Sequence, residues 1–387
     1  MGFEYYLRSG NQKLRCGYTT GTCAALAATG ATILLLSGKA PDTVGLTTGK
    51  GIRVEVPLSG FGQTRNEAWA SITKDAGDDA DVTDGINIFA TVSKLDGKEI
   101  LIDGGDGVGR VTKAGLDQPV GNAAINSTPR RMITEAVQYV CEEYEYEGGI
   151  KVIISAPEGR AAAEKTFNPM IGIEGGISIL GTSGIVEPMS MQALVDTIEV
   201  TMRQAAAESN DLILTPGNYG ESFIAKRNVE ACGIPTVKFS NFLGETLDIA
   251  VTEGFKRILL IGHIGKMIKV AGSIMNTHSR SADCRKEIFC AHAIMCGAEA
   301  ELGRELMKAA TTDACIEILD NAGMREAVMQ SVVNTIQKVL DRRSKGAYRI
   351  GICIFSNEYG LLAVSEEAHK ITDEWNKESA LSLSLDR

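Results

Sequence analysis

After residue 168 the chain repeats one pattern: a short β-branched or apolar run, a polar turn, then a stretch with helical apolar spacing. Residues 177–180 lead into Gly181-Thr182-Ser183-Gly184, and 212–214 into Thr215-Pro216-Gly217-Asn218-Tyr219-Gly220. Residues 236–239 lead into Ser240-Asn241, and 257–261 into Gly262-His263-Ile264-Gly265-Lys266. A helix with Val328, Val332, Ile336, Val339 and Leu340 in register precedes a final run at 349–355. Strands alternating with helices mean βαβ units, and so a mostly parallel sheet covered on both faces. In such sheets ligands bind beyond the carboxyl ends of the strands. The turns just named are expected at that edge.

The first half lacks this rhythm. Thr19 or Thr20 caps an Ala-rich helix reaching about residue 36. Runs at 52–57, 70–73, 86–93 and 99–102 follow, separated by Gly and Asp turns, then a helix near 128–144 and a strand at 151–155. A chain of 387 residues suits two cores. The expected fold is an α+β first domain, 1–170, followed by an α/β second domain, 171–387, with a mostly parallel sheet flanked by helices.

Charge and cysteine usage narrow the function. Thirty-nine basic against 49 acidic residues give 39 − 49 = −10, which leaves no broad cationic surface for nucleic-acid phosphates. The apolar stretch 24–37 is too short for a bilayer and precedes a poor cleavage site. Tyr6 stands where myristoylation wants Ser or Thr. A cytoplasmic protein with neither membrane nor nucleic-acid partners is expected. Nine cysteines without a C-x-x-C pair read as small buried hydrophobes rather than disulfides or a zinc site.

Several motifs carry possible chemistry. The run Gly104-Gly105-Asp106-Gly107-Val108-Gly109 imitates a dinucleotide fingerprint, but the residues after it make poor helix, so a substrate or turn loop is expected. Gly262-His263-Ile264-Gly265-Lys266 lacks the spacing and hydroxyl of a P-loop. Gly181, Thr182, Ser183 and Gly184 can offer backbone N–H groups and hydroxyls to an adenosyl or carboxylate group; a βα turn with Ser as a local cap is the alternative. Thr215, Gly217, Asn218 and Glu221 form a second such turn, with Asn218 and Glu221 able to bond a ribose. From His263 to Lys286 the chain carries Lys266, Lys269, Arg280, Arg285 and Lys286 against Asp283 alone, a local 5 − 1 = +4. This segment reads either as a solvated helix face or as a clamp for a polycarboxylate, joined by Asn276 and His278. His263 and His278 are the candidates for a catalytic role. Lys113, Arg130 and Arg131 can add positive charge from the first domain.

These motifs resemble, in order, those of the cobalt-precorrin-5B C1-methyltransferase family of anaerobic cobalamin biosynthesis. The segments are LRCGYTTGTCAA (14–25), TKDAGDDADVTDG (73–85), GVGRVTKAGL (107–116), PVGNAAINSTPRRMI (119–133), FNPMIGIEGGISILGTSGIVEPMS (167–190), TPGNYGE (215–221), SNFLGETLD (240–248) and GHIGKMIKVAGSIMNTHSRSAD (262–283). They cover residues 14 to 283. Asp84 stands where the family usually has His, Cys16 where Thr is common, and Ser273 where Gly is. No catalytic His is therefore assigned near Asp84. The resemblance implies methyl transfer from S-adenosylmethionine to ring carbon C1 of a cobalt-containing macrocycle ringed with carboxylates. The cobalt would arrive with the substrate, with no metal held by the protein. A metal-free precorrin as acceptor and a non-catalytic corrinoid carrier are the alternatives. A homo-oligomer and transient contacts with other pathway enzymes stay open.

Overall fold

The structure is a computed structural model and describes residues 3–9, 12–188, 190–226 and 233–379. It separates into two compact units, Met1–Met191 and Gln192–Arg387.

In the first unit a five-stranded sheet runs in the order Gly60–Gln63, Glu67–Thr73, Asn87–Leu95, Gly149–Ser155, Ile100–Gly104. Its pairs are antiparallel except the last, which is parallel because the helix Ser127–Glu143 makes the crossover. The strand Asn87–Leu95 alternates, burying Ile88, Ala90 and Val92. The helix Thr20–Ser37 packs on this sheet and on the helix Ser127–Glu143. Thr19 caps it, its hydroxyl accepting from the Thr22 amide at 3.2 Å. Every residue from Cys23 to Ala28 is fully buried. This helix is long and apolar enough to cross a membrane, yet it serves as the core helix of the unit.

The boundary differs from the expected 170/171. Residues 173–186 are stitched to the first unit, where Ile185–Val186 pairs with Gly17–Tyr18. Thr20 Oγ1 donates to the carbonyls of Ser178 and Leu180, each at 3.2 Å. Thr22 Oγ1 donates to the Gly184 carbonyl at 2.7 Å. Residues 177–180, read as a strand of the parallel sheet, make only isolated bridges of Ile177 to Val108 and Ile179 to Ile125. Their apolar character comes from burial beside the first helix.

In the second unit the sheet order is Thr236–Lys238, Asp211–Thr215, Arg257–His263, Arg349–Ser356, Gly360–Val364. The first four strands are parallel and the edge strand is antiparallel. Alternate side chains feed two cores. Leu212, Leu214, Ile258, Leu260, Ile350 and Ile352 pack with Met202, Leu247, Ile268 and Ile336. Ile213, Leu259, Ile261 and Cys353 pack with Ile224, Ile371 and Trp375 on the other face. Helices therefore cover both faces, as the alternating pattern predicted.

Candidate functional site

The strand order of the second unit creates one topological switch. From Asp211–Thr215 the chain crosses, through the helix Asn218–Lys226, to Thr236–Lys238 on one side. It then returns past its start, through the helix Leu243–Thr252, to Arg257–His263 on the other side. The two helices lie on opposite faces, Ile224 in one core and Leu247 in the other. Adjacent strands whose following helices diverge leave a crevice at their carboxyl ends. The turns 215–218 and 263–266 form its lips.

On the first lip, Thr215 is fully buried and its hydroxyl has no hydrogen-bond partner among the described residues. Gly220 packs against that hydroxyl so closely that any side chain there would collide. A side chain at Gly217, by contrast, would meet open space. The amides of Asn218 and Tyr219 open the helix Asn218–Lys226 and make no bond among the described residues. Glu221 is held by Lys238 from the neighbouring strand at 2.9 Å.

On the second lip, His263 caps the helix Ile264–Ala271, its Nδ1 accepting the Gly265 amide at 3.1 Å. Its ring lies between Tyr219, 6.0 Å away between centroids, and the edge-on Phe355 at 5.6 Å. Burial lowers its pKa below the usual 6.5, with Asp313 pulling weakly the other way. Asp313 itself accepts the Ser356 hydroxyl at 2.7 Å.

The basic segment resolves into different roles. Lys266 Nζ donates to the Ser240 carbonyl at 2.9 Å, and burial lowers its pKa. One turn on, Lys269 is buried and donates to the carbonyls of Thr277 and Ala282 at 3.0 and 2.9 Å. Its charge thus holds the loop 277–282, a structural use of a residue that the clamp reading had set beside a ligand. That loop docks on the turn after Thr236–Lys238, the Thr277 amide donating to the Asn241 carbonyl at 2.9 Å. Arg285 is paired with Asp283 at 2.7 Å. Asn276 accepts the His278 amide at 3.1 Å, while His278 and Arg280 are exposed. Of the expected cluster, Lys266, Asn276, His278 and Arg280 stay on or beside the carboxyl rim.

The first-unit candidates belong to elements of that unit. Gly181-Thr182-Ser183-Gly184 is not a turn of the parallel sheet. It embraces the start of the helix Thr20–Ser37, where a Cβ on Gly181 would fall 2.3 Å from the Thr19 hydroxyl. Close approach to that helix accounts for its glycines. Arg130 spends its guanidinium on the carbonyls of Ile125 and Ile102 at 2.8 and 2.9 Å. Arg131 is exposed and faces Glu135 at 3.8 Å, and Lys113 reaches the Met170 carbonyl at 3.4 Å. Asp84 accepts the Ala76 amide at 2.8 Å and so fixes its own turn. The glycine run 104–109 packs backbone on backbone, Gly107 against Ala156 and Gly176. Among the described residues no three His, Cys, Asp or Glu side chains are grouped to hold a metal ion. Sequence reasoning missed Tyr219, Phe355 and Asp313, whose only advance signal was that Tyr219 sits within a named turn.

A family model described as CbiD matches residues 7–188, and one described as the CbiD C-terminal domain matches 276–366. A protein of Ruminiclostridium cellulolyticum is 49% identical over 92% of this chain and 92% of its own. The chain belongs to the CbiD family. The relatives bear the name cobalt-precorrin-5B C(1)-methyltransferase, as does one from Treponema denticola, 40% identical over 94% of this chain and 100% of its own. A crystal structure titled as the cobalamin biosynthesis protein CbiD of Archaeoglobus fulgidus is 28% identical, covering 71% of this chain and 86% of that one with a TM-score of 0.39. The first CbiD stretch ends three residues before the end of the first unit, since 191 − 188 = 3. The second begins at Asn276, the start of the loop that Lys269 holds. Both lips of the crevice fall between the two CbiD stretches but within the span shared with the full-length relatives.

Proposed function

We propose that this chain transfers a methyl group from S-adenosylmethionine to carbon C1 of cobalt-precorrin-5B, as a cytoplasmic enzyme of anaerobic cobalamin biosynthesis. The observation carrying this reading is the 49% identity, over nearly the whole chain, to a relative named for that reaction. The residues of the crevice suit such a donor. Open space at Gly217, unpaired amides at Asn218 and Tyr219, and the exposed Tyr219 ring offer a polar cradle with an aromatic wall. The orphaned Thr215 hydroxyl is buried against Gly220 at the start of this turn. When bound, the donor supplies an electrophilic sulfonium methyl.

What the chain contributes is position. Methyl transfer between two held reactants needs no covalent enzyme intermediate, and alignment alone is worth about 7–11 kcal/mol. Arg280, His278, Asn276 and Lys266 are the groups we assign to the peripheral carboxylates of the macrocycle. The cobalt belongs to the substrate.

The test is donor binding by calorimetry in wild type and Gly217→Leu. A Cβ at Gly217 meets none of the described residues within 4 Å, so the main stability cost expected is the loss of a good cap, about 1 kcal/mol. The variant should unfold only about 2–4 °C lower than wild type and lose donor binding. Donor affinity equal to wild type would overturn the assignment of the donor to this crevice.

A further inference from the structure

Two helices begin at the crevice, Asn218–Lys226 and Ile264–Ala271, so both lips carry positive helix ends. The His263 side chain reaches from the second lip to Tyr219 on the first. Its Nδ1 accepts the Gly265 amide at 3.1 Å, so that nitrogen bears no proton. A neutral imidazole then carries its proton on Nε2. Among the described residues nothing else bonds His263, and Nε2 is not among the buried polar atoms left without a partner. The rings of Tyr219 and Phe355 both pack near the imidazole, at 6.0 and 5.6 Å between centroids. The result is a neutral N–H donor at the start of one helix, beside the first-turn Tyr219 of the other.

We propose that His263 is a ligand-binding residue whose Nε2–H donates to a carboxylate of the bound reactants. This rests on the methyltransferase reading and deepens it, because it excludes His263 from acting as a proton acceptor through Nε2. The adenosyl donor carries one such carboxylate and the macrocycle several, so the chemistry is common to both. A bond to a carboxylate differs from a merely structural cap in what its loss does: the cap belongs to Nδ1, the ligand contact to Nε2.

Substitution separates these two nitrogens. His263→Asn keeps a side-chain acceptor near the position of Nδ1 and removes the distal donor. His263→Gln offers an amide near the position of Nε2 and gives up the cap. The readouts are thermal unfolding and calorimetric binding of S-adenosylhomocysteine, 5′-methylthioadenosine, which lacks the carboxylate, and the cobalt-precorrin substrate. The expected result is an Asn variant of wild-type thermal stability that binds one carboxylate ligand about 10–100-fold more weakly. His263→Gln should be less stable yet recover part of that affinity. If the loss falls on S-adenosylhomocysteine but not on methylthioadenosine, the carboxylate is the donor's. If it falls on the macrocycle alone, the carboxylate is the substrate's. Full affinity of His263→Asn for all three ligands overturns the proposal while leaving the methyltransferase reading intact. A wild-type protein that binds none of the three overturns both.

Discussion

Lys269 and Arg280 stand eleven positions apart in one basic segment, and the fold gives them opposite work. The Lys269 ammonium is buried and holds two carbonyls of the loop 277–282, whereas Arg280 lies exposed on that loop. Replacing Lys269 with alanine leaves two carbonyls without their partner, each costing roughly 1–2 kcal/mol, so a loss of about 2–4 kcal/mol is expected. Arg280→Ala should change stability by no more than about 0.5 kcal/mol. Denaturant unfolding of the two variants checks the contrast, and equal stabilities would refute the bracing role. Residue type and spacing alone do not distinguish these two lysine and arginine roles. The sequence shows charge, and burial depends on which carbonyls a later loop brings back to the helix. His263 was visible as a candidate, but its tautomer follows from one backbone amide that only the folded turn supplies.

At the scale of elements, the parallel sheet was legible because each strand, turn and helix is short and carries its own periodicity. The Asp211–Thr215 and Arg257–His263 strands and their turns stand where the pattern put them. Residues 177–184 imitated the same pattern and belong elsewhere. Their apolar side chains answer to the buried helix Thr20–Ser37, more than a hundred residues away in sequence, and no local rule registers such a partner. The glycine run 104–109 shows the converse. Its failure to open a helix was readable, and the close backbone packing that demands glycine was not. Gly107 has φ of 72° and a side chain there would strike the Ala156 carbonyl. Gly121 has φ of 90° but faces open space. Gly121→Ala should cost about 1–2 kcal/mol from backbone strain alone, and Gly107→Ala distinctly more. Thermal unfolding of the pair checks this; equal costs would mean that the 104–109 loop gives way to the added methyl.

For the whole molecule, a net charge of −10 opposes a polycarboxylate at long range. Salt limits that repulsion to about 8 Å under physiological conditions, so the groups at the rim decide binding. The family was legible because long motifs survive intact along the chain, and the relatives' shared name gives the reaction. The site was legible only in part, since a switch in strand order is a property of the complete sheet. The central claim is regiospecific methyl transfer, and one measurement addresses it directly. The protein is incubated anaerobically with cobalt-precorrin-5B and S-adenosylmethionine carrying a carbon-13 methyl, and the product is examined by NMR. A single labelled methyl on C1 is the expected product. A label on another carbon, or none although both reactants bind, would contradict it.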